Sequence, residues 1–195
     1  MKYLLLLLAT LVATPAAAEE IRSVYTKFDL DHCKVVAPAD DTIFEGTWSC
    51  KGYGGFRIVI SGEDARNYAS FEKGGGEHCA ARQGFGAFNT ALSPIEWRLA
   101  KGKPFAAIER WSMTDGEGKH FTWLVVTSLK DDDSCHAAYI AGNVPGANAE
   151  ARKAADSVAQ NFDCADGKPA VIAKDAQPPL TTGQTCRQIE GLSYE

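Results

Sequence analysis

Residues 94–129, PIEWRLAKGKPFAAIERWSMTDGEGKHFTWLVVTSL, decide the fold of this chain. Apolar and charged residues alternate at the start of this stretch, and residues 101–104 carry a turn signature. The chain returns through residues 105–113, turns again at residues 115–119, and enters its most strand-like segment, residues 121–129. Period-two alternation interrupted by Gly- and Pro-containing turns is typical of antiparallel strands. We therefore predict a three-stranded meander at the centre of the protein.

Similar segments flank this meander on both sides. Residues 24–30, 44–50 and 56–61 precede it, and residues 135–141 follow it. The period then changes, because residues 147–162 are rich in alanine and place their apolar side chains on one helical face. The sequence thus predicts an α+β fold. Its antiparallel, meander-like sheet would have about six to eight strands, with one C-terminal helix packed on it.

Composition restricts the class of protein. The chain has 195 residues, of which 45% are hydrophobic, and this is enough to build a buried core. Twenty-five acidic residues against 20 basic ones give a formal net charge of −5. A nucleic-acid-binding protein usually has a basic face, so nucleic acid is not expected among the partners.

Residues 1–18 have the layout of a cleavable export signal. Lys2 supplies a positive charge, residues 3–12 form a short apolar run, and small residues close the segment. We predict cleavage after Ala18, residence in the periplasm or outside the cell, and no stable membrane insertion of the product. The rest of the chain is divided into one α+β domain, residues 19–164, and an extended C-terminal tail, residues 165–195.

Six cysteines follow the signal, and an even number in an exported chain indicates disulfides. Cys33 and Cys50 flank one hairpin-like stretch, which favours a Cys33–Cys50 bridge. Cys135 begins a strand and Cys164 ends the helix after it, which favours Cys135–Cys164. The remaining pair would be Cys79–Cys186, with Cys79 in a glycine-rich surface loop (residues 74–87) and Cys186 tying down the tail. Other pairings remain open, because spacing alone does not select among them.

A metal site is the rival interpretation of these cysteines. Histidines adjoin three of them, at His32, His78 and His136. However, no C-x-x-C or H-x-x-x-H spacing is present, and neighbouring residues of a strand point to opposite faces. We expect no metal and no cofactor, while metal handling through His78 or His136 stays as an alternative.

Two carboxylates are the candidates for catalysis. Glu96 and Glu109 lie on the two arms of the predicted hairpin, and some turn registers would place them side by side. A glycan hydrolase could use such a pair as acid and base. The alternative is a solvated strand face with arginine partners, as is common on strands.

One loop is the candidate for binding. Tyr53, Gly54 and Gly55 form a tight glycine-flanked turn, in which an exposed tyrosine could contact a partner or stack on a sugar. The alternative is a tyrosine that covers its own loop. The burial of Trp97 and Trp123 is expected instead, because large aromatic side chains on strands supply core area.

Several segments together resemble a known group of proteins. They are WSC (48–50) leading into GYGG (52–55), IEWR (95–98), KPFAAI (103–108) followed by RW (110–111), LVVT (124–127), CHAAY (135–139) and the helix region 147–164. In this order they resemble small exported, periplasmic proteins of alphaproteobacteria of unknown function. The resemblance covers about residues 24–164, and it implies a shared fold and periplasmic residence. It supplies no catalytic residue.

These observations favour an exported, non-enzymatic protein. It would act as a binding or inhibitor-type module for an envelope component or a protein partner. The alternative is a small envelope hydrolase that uses the Glu96 and Glu109 pair. A single concave site with converging polar residues would distinguish the two hypotheses.

Overall fold

A computed structural model describes residues 20–40, 45–76, 78–174, 176–180 and 185–189. The predicted export signal lies outside these residues. Within them the chain forms ten strands and one α-helix. The elements are β1 Ile21–Thr26, β2 Lys34–Asp40, β3 Glu45–Lys51, β4 Arg57–Glu63, β5 Arg66–Glu72, β6 Phe88–Ala100, β7 Lys103–Thr114, β8 His120–Leu129, β9 Ser134–Ala141, α1 Ala147–Val158 and β10 Ala170–Ile172.

The strands form two sheets instead of one. Six strands pair in the order β1-β6-β7-β8-β9-β10, and four pair in the order β2-β3-β4-β5. Neighbouring strands are antiparallel except for β9 and β10. The mostly β architecture with one C-terminal helix is confirmed, but the prediction of a single sheet of about six to eight strands is wrong. Alternation indicates that a segment is a strand, and it carries no information about the sheet to which the strand belongs.

The six-stranded sheet is the middle of three layers. One of its faces packs on the four-stranded sheet through an inter-sheet core, to which Ile58, Phe71, Trp97, Trp111 and Trp123 belong. Its other face packs on α1 through the small side chains of the helix, among them Ala151 and Ala155. The burial of Trp97 and Trp123 is confirmed, at 0% and 2% exposure.

The alanine face of α1 allows the helix to lie close to the sheet. The α-helical part ends at Val158, and a 3-10 turn over residues 159–161 continues it. The helical segment therefore covers nearly all of residues 147–162. Alanine has the highest helix propensity and leaves no bulky side chain between the two layers.

The glycine-rich segment at residues 74–87 is buried over residues 78–80 and 83–85, which differs from the surface loop that the sequence predicts. Cys79, Ala80 and Phe85 are each 0% exposed. The Phe85 ring lies 5.4 Å from that of Trp111 and 6.1 Å from that of Tyr139. A single phenylalanine among glycines thus brings this non-periodic segment into the inter-sheet core, because burying an aromatic ring is strongly favourable.

The C-terminal segment also belongs to the fold. β10 adds a parallel strand to β9, with Ile172 opposite Ile140. Residues 176–180, which we call the C-terminal strap, then cross to the inter-sheet core. There the Pro179 carbonyl accepts a hydrogen bond from Gly86 N–H, and Leu180 forms a bridge with Phe85.

The six cysteines form three disulfides, namely Cys33–Cys50, Cys79–Cys186 and Cys135–Cys164. The first joins the strand pair β2–β3, the second attaches the C-terminal end of the chain to the glycine-rich segment, and the third joins β9 to the end of the helical region. This is the pairing that the positions of the cysteines favour. Where the chain is described, it contains no helix that is both long and apolar enough to cross a membrane.

Candidate functional site

Glu96 faces α1 and is held in an ion pair. Arg152 Nε donates to Glu96 Oε1 at 2.6 Å, and the Ser23 hydroxyl donates to the same oxygen. Arg152 Nη2 also donates to the Tyr25 hydroxyl at 3.2 Å. The hydrogen bond and the negative charge of Glu96 raise the pKa of Arg152 above its usual value. With 8% of Glu96 exposed, the carboxylate is largely removed from water.

A second ion pair continues this arrangement. Arg98 Nε and Nη2 donate to the two carboxylate oxygens of Asp156 at 2.8 and 2.6 Å, and Arg98 Nη1 donates to Ser23 Oγ at 2.6 Å. We call Ser23, Glu96, Arg98, Arg152 and Asp156 the helix-docking cluster. Each of its charges has a partner, and bidentate arginine–carboxylate pairs fix geometry strongly. The cluster ties α1 to β1 and β6.

Glu109 lies on the other face of the sheet, inside the inter-sheet core. It is 2% exposed and stands opposite Val125 of β8. Burial raises the pKa of Glu109 to about 8, while the Trp111 indole lowers it by a smaller amount. Glu109 Oε1 and Trp111 Nε1 have no hydrogen-bond partner among the described atoms. Glu109 is therefore mostly a neutral carboxylic acid at pH 7.

The candidate hydrolase pair is therefore not brought together. The strand register places Glu96 opposite Ile108, and Ile95 and Trp97 on either side of it belong to the inter-sheet core. Glu96 must then point to the α1 face, since successive side chains of a strand alternate. Glu109 points the opposite way. Acid–base chemistry on one substrate needs both carboxylates on the same side of the sheet.

The Tyr53 loop is packed against the protein. Gly54 and Gly55 have φ of 62° and 89°, and a Cβ at Gly54 would lie 2.8 Å from Pro104 Cγ. Tyr53 is only partly exposed and packs against the inter-sheet core. Tyr25 and Phe88 are the aromatic residues with large exposure in the described chain, at 55% and 48%. The loop resembles a packed turn more than a free binding surface.

The histidines next to cysteines have other neighbours. All six cysteines are in disulfides. Burial lowers the pKa of His136 to about 3, and its Nδ1 lies 2.9 Å from the Tyr139 hydroxyl. His78 Nδ1 lies 3.2 Å from Ser134 Oγ. Across the described ranges, no three His, Cys, Asp or Glu side chains are grouped so that they could hold a metal ion.

One groove lies between the β7–β8 hairpin and the C-terminal strap. Its volume is about 630 Å³. Two of its polar side chains are bonded within the hairpin itself. Asp115 accepts from the N–H groups of Glu117 and Lys119, and His120 Nδ1 lies 2.9 Å from Thr114 Oγ1. The tryptophan that lines this strap groove, Trp123, is only 2% exposed, so the strap groove offers little accessible indole surface.

A second groove is smaller and has a partly exposed tryptophan in its lining. It has a volume of about 400 Å³ and opens between β3, the β4–β5 turn and the start of β6. We call it the Trp48 groove, and it is lined by Leu30, Asp31, Trp48, Arg66, Asn67 and Thr90. Both volumes lie within the range of about 300–1,000 Å³ that small-molecule sites occupy.

Trp48 lies on the inner face of the four-stranded sheet, opposite Ile60. Its neighbours on that face, Cys50 and Ile60, belong to the inter-sheet core, but Trp48 does not, and it remains partly exposed. The other three tryptophans are 0–2% exposed. Trp48 is therefore the tryptophan that the fold leaves accessible, at the open end of the space between the sheets.

The wall of the Trp48 groove is held in place by the β4–β5 turn. Asp64 and Ala65 have φ of 50° and 57°, a backbone conformation that residues other than glycine rarely adopt. Asn89 N–H donates to the Ala65 carbonyl at 3.2 Å, and Asn67 N–H donates to Asn89 Oδ1 at 2.9 Å. These bonds between the sheets offset the cost of the turn and preorganise the wall.

The sequence analysis missed this groove. Trp48 is visible there only as one aromatic residue on a predicted strand. The alternation of Trp48 with Cys50 predicts the face on which the indole lies, but it does not reveal that the indole remains partly exposed there. Comparison with protein-family models, curated proteins and solved structures finds no match to this chain. The site is thus defined by the geometry of its own residues.

Proposed function

We propose that this protein is an exported, non-enzymatic binding module. Its export signal is cleaved after Ala18, and the remaining chain works in the periplasm. There it binds a component of the cell envelope, or a protein partner, in the Trp48 groove. Three disulfides support residence in an oxidising compartment, because such bonds persist outside the cytosol.

One observation carries the proposal: a partly exposed tryptophan lies in a preformed groove among polar side chains. Leaving apolar indole surface in contact with water gives up part of the free energy gained by burial. Tryptophan is also the residue most enriched at the energetic centres of binding surfaces. The fixed wall made by Ala65, Asn67 and Asn89 adds preorganisation, which lowers the entropic cost of binding.

Fluorescence quenching tests the proposal directly. Acrylamide is expected to quench Trp48 and to leave the three buried tryptophans largely unaffected. Addition of envelope extract from the producing cells should then protect Trp48 from the quencher. Trp48→Phe identifies the accessible signal, because it removes the quenchable component while keeping an aromatic ring.

A matched control uses an exposed aromatic residue elsewhere. Tyr25→Ala changes the α1 side of the protein, and this variant should show the same protection as the unchanged chain. A Trp48 signal that no envelope fraction protects would overturn the proposal. Mass analysis of the protein recovered from the periplasm should give a chain that begins at Glu19, and recovery only in the cytoplasm would contradict export.

A further inference from the structure

We infer that the ligand of the Trp48 groove is an uncharged saccharide, with one sugar ring stacked on the Trp48 indole. This inference rests on the proposed binding function and gives its ligand a chemical class. A sugar ring presents an apolar C–H face and a rim of hydroxyl groups. The groove offers a complementary pair of surfaces, namely an indole face and side chains that donate or accept hydrogen bonds.

The apolar half of the match is formed by Trp48 and Leu30. Both line the groove, and both remain partly exposed. Indole is a broad, flat and polarisable surface that buries a large area on contact. A flat apolar face of this kind favours a flat ligand over a branched aliphatic one.

The polar half is formed by Asp31, Asn67 and Thr90. No side-chain hydrogen bond of these three residues is found among the described contacts, although the backbone N–H groups of Asp31 and Asn67 are bonded. A carboxylate accepts, whereas an amide and a hydroxyl both donate and accept. This combination matches vicinal hydroxyl groups, each of which is both donor and acceptor.

The charges of the groove disfavour other ligand classes. Arg66 is already engaged, with Nε donating to the Gly86 carbonyl and Nη1 bonded to Asp64, while its guanidinium lies over the Phe88 ring at 5.0 Å. Asp31 remains as a negative charge, which would repel a phosphate or another anion. An apolar chain would remove Asp31 and Asn67 from water and would offer no hydrogen bonds in place of those that water makes to them. This loss would weaken the binding of such a ligand.

Selective destruction of envelope components tests the ligand class before any sugar is identified. Envelope extract is divided and treated either with periodate, which cleaves carbon–carbon bonds between vicinal diols, or with protease. Each portion is desalted and then assayed for protection of Trp48 from acrylamide. The inference predicts protection that is lost after periodate and retained after protease.

Calorimetry with soluble neutral oligosaccharides then measures the affinity. Trp48→Ala should weaken binding by at least about tenfold, and Asp31→Asn and Thr90→Val by about three- to tenfold each. Trp48→Phe should retain part of the affinity and shows that a loss is not a failure to fold. Thr122→Val, in the strap groove, should leave the affinity unchanged.

The outcomes separate the two proposals. Protection that survives periodate and is lost after protease would overturn the saccharide and retain the binding function, with a protein as the partner. Protection lost after extraction with organic solvent alone would overturn the saccharide in favour of a lipid. No protection by any fraction would overturn both.

Discussion

Glu96 and Glu109 lie on adjacent antiparallel strands, yet their carboxyl groups face opposite sides of the six-stranded sheet. Glu96 docks α1 through its contact with Arg152, whereas Glu109 lies between the two sheets. The two residues therefore lie in two different interfaces, and each makes a separate prediction.

Glu109 should make stability depend on pH. Because burial raises the pKa of Glu109 to about 8 from an ordinary value of 4.5, the unfolded chain releases this proton at lower pH than the folded chain. Between about pH 4.5 and pH 8 this group lowers the free energy of unfolding as pH rises, by up to about 1.4 kcal/mol per pH unit. Glu109→Gln should remove this slope in urea unfolding measured across the pH range.

The difference in unfolding free energy between the variant and the unchanged chain, plotted against pH, gives the contribution of Glu109 alone, because the other titrating groups are common to both proteins. Glu117→Gln, in the exposed β7–β8 turn, serves as the control and should follow the unchanged chain. Parallel curves for Glu109→Gln and the unchanged chain would show that Glu109 is ionised in the folded protein.

Removal of Arg152 should weaken the docking of α1. In Arg152→Ala, Glu96 keeps its buried position, with 10% of its side chain exposed, but loses its charged partner. We expect the free energy of unfolding to fall by about 1–3 kcal/mol, toward the lower end because Arg152 itself is 41% exposed and partly screened by water. Arg187→Ala breaks a pair that lies in solvent and should have little effect. Equal losses in the two variants would contradict a docking role for Glu96.

The Cys79–Cys186 disulfide should contribute more stability than Cys33–Cys50. The first closes a sequence separation of 107 residues and the second one of 17. In the chain-entropy description the longer loop contributes about 4–5 kcal/mol and the shorter about 3 kcal/mol. The paired Cys79→Ala and Cys186→Ala substitutions should also make the C-terminal strap sensitive to protease. A strap that resists protease in this variant would show that Phe85 and Leu180 suffice to hold it.

Gly84 should tolerate no side chain while Tyr68 is present. A Cβ at Gly84 would lie 2.1 Å from Tyr68 Cε1. Gly84→Ala should therefore lower the free energy of unfolding by about 1–3 kcal/mol, as overpacking does. In a Tyr68→Ala background the same change should cost much less, because the opposing ring is gone. Gly75→Ala, which has open space around its Cβ, is the control.

The elements of this fold could largely be predicted from sequence, whereas its assembly could not. The hairpin around residues 101–104 and the alanine-rich helix are coded by local periodicity and turn residues. The division into two sheets depends on residues 73–87, where Phe85 enters the core without any periodic pattern around it. β10 has only three residues, too few for alternation to be recognised.

The candidate site was less predictable than the fold. Asp31, Trp48 and Asn67 come from three separate elements, and no spacing in the sequence connects them. Glu96 and Glu109 share a hairpin, but the faces on which they lie depend on the strand register, which pairs Glu96 with Ile108 and not with Glu109. A register that differed by one residue would have placed both carboxylates on the same face, and the sequence does not select between the two registers.

The order of the strands has a consequence for the sequence of events by which the molecule folds. The four-stranded sheet is contiguous within residues 34–72 and can form early, with its own disulfide. The six-stranded sheet has β1 and β10 at its two edges, so its outermost strands come from the two ends of the chain. β1 has no partner strand until it pairs with β6, and Cys79 has no disulfide partner until Cys186 reaches it. A chain that ends before β10 would leave the edge of β9 unpaired and Cys79 without its partner, and such truncated chains should aggregate instead of folding into a smaller protein.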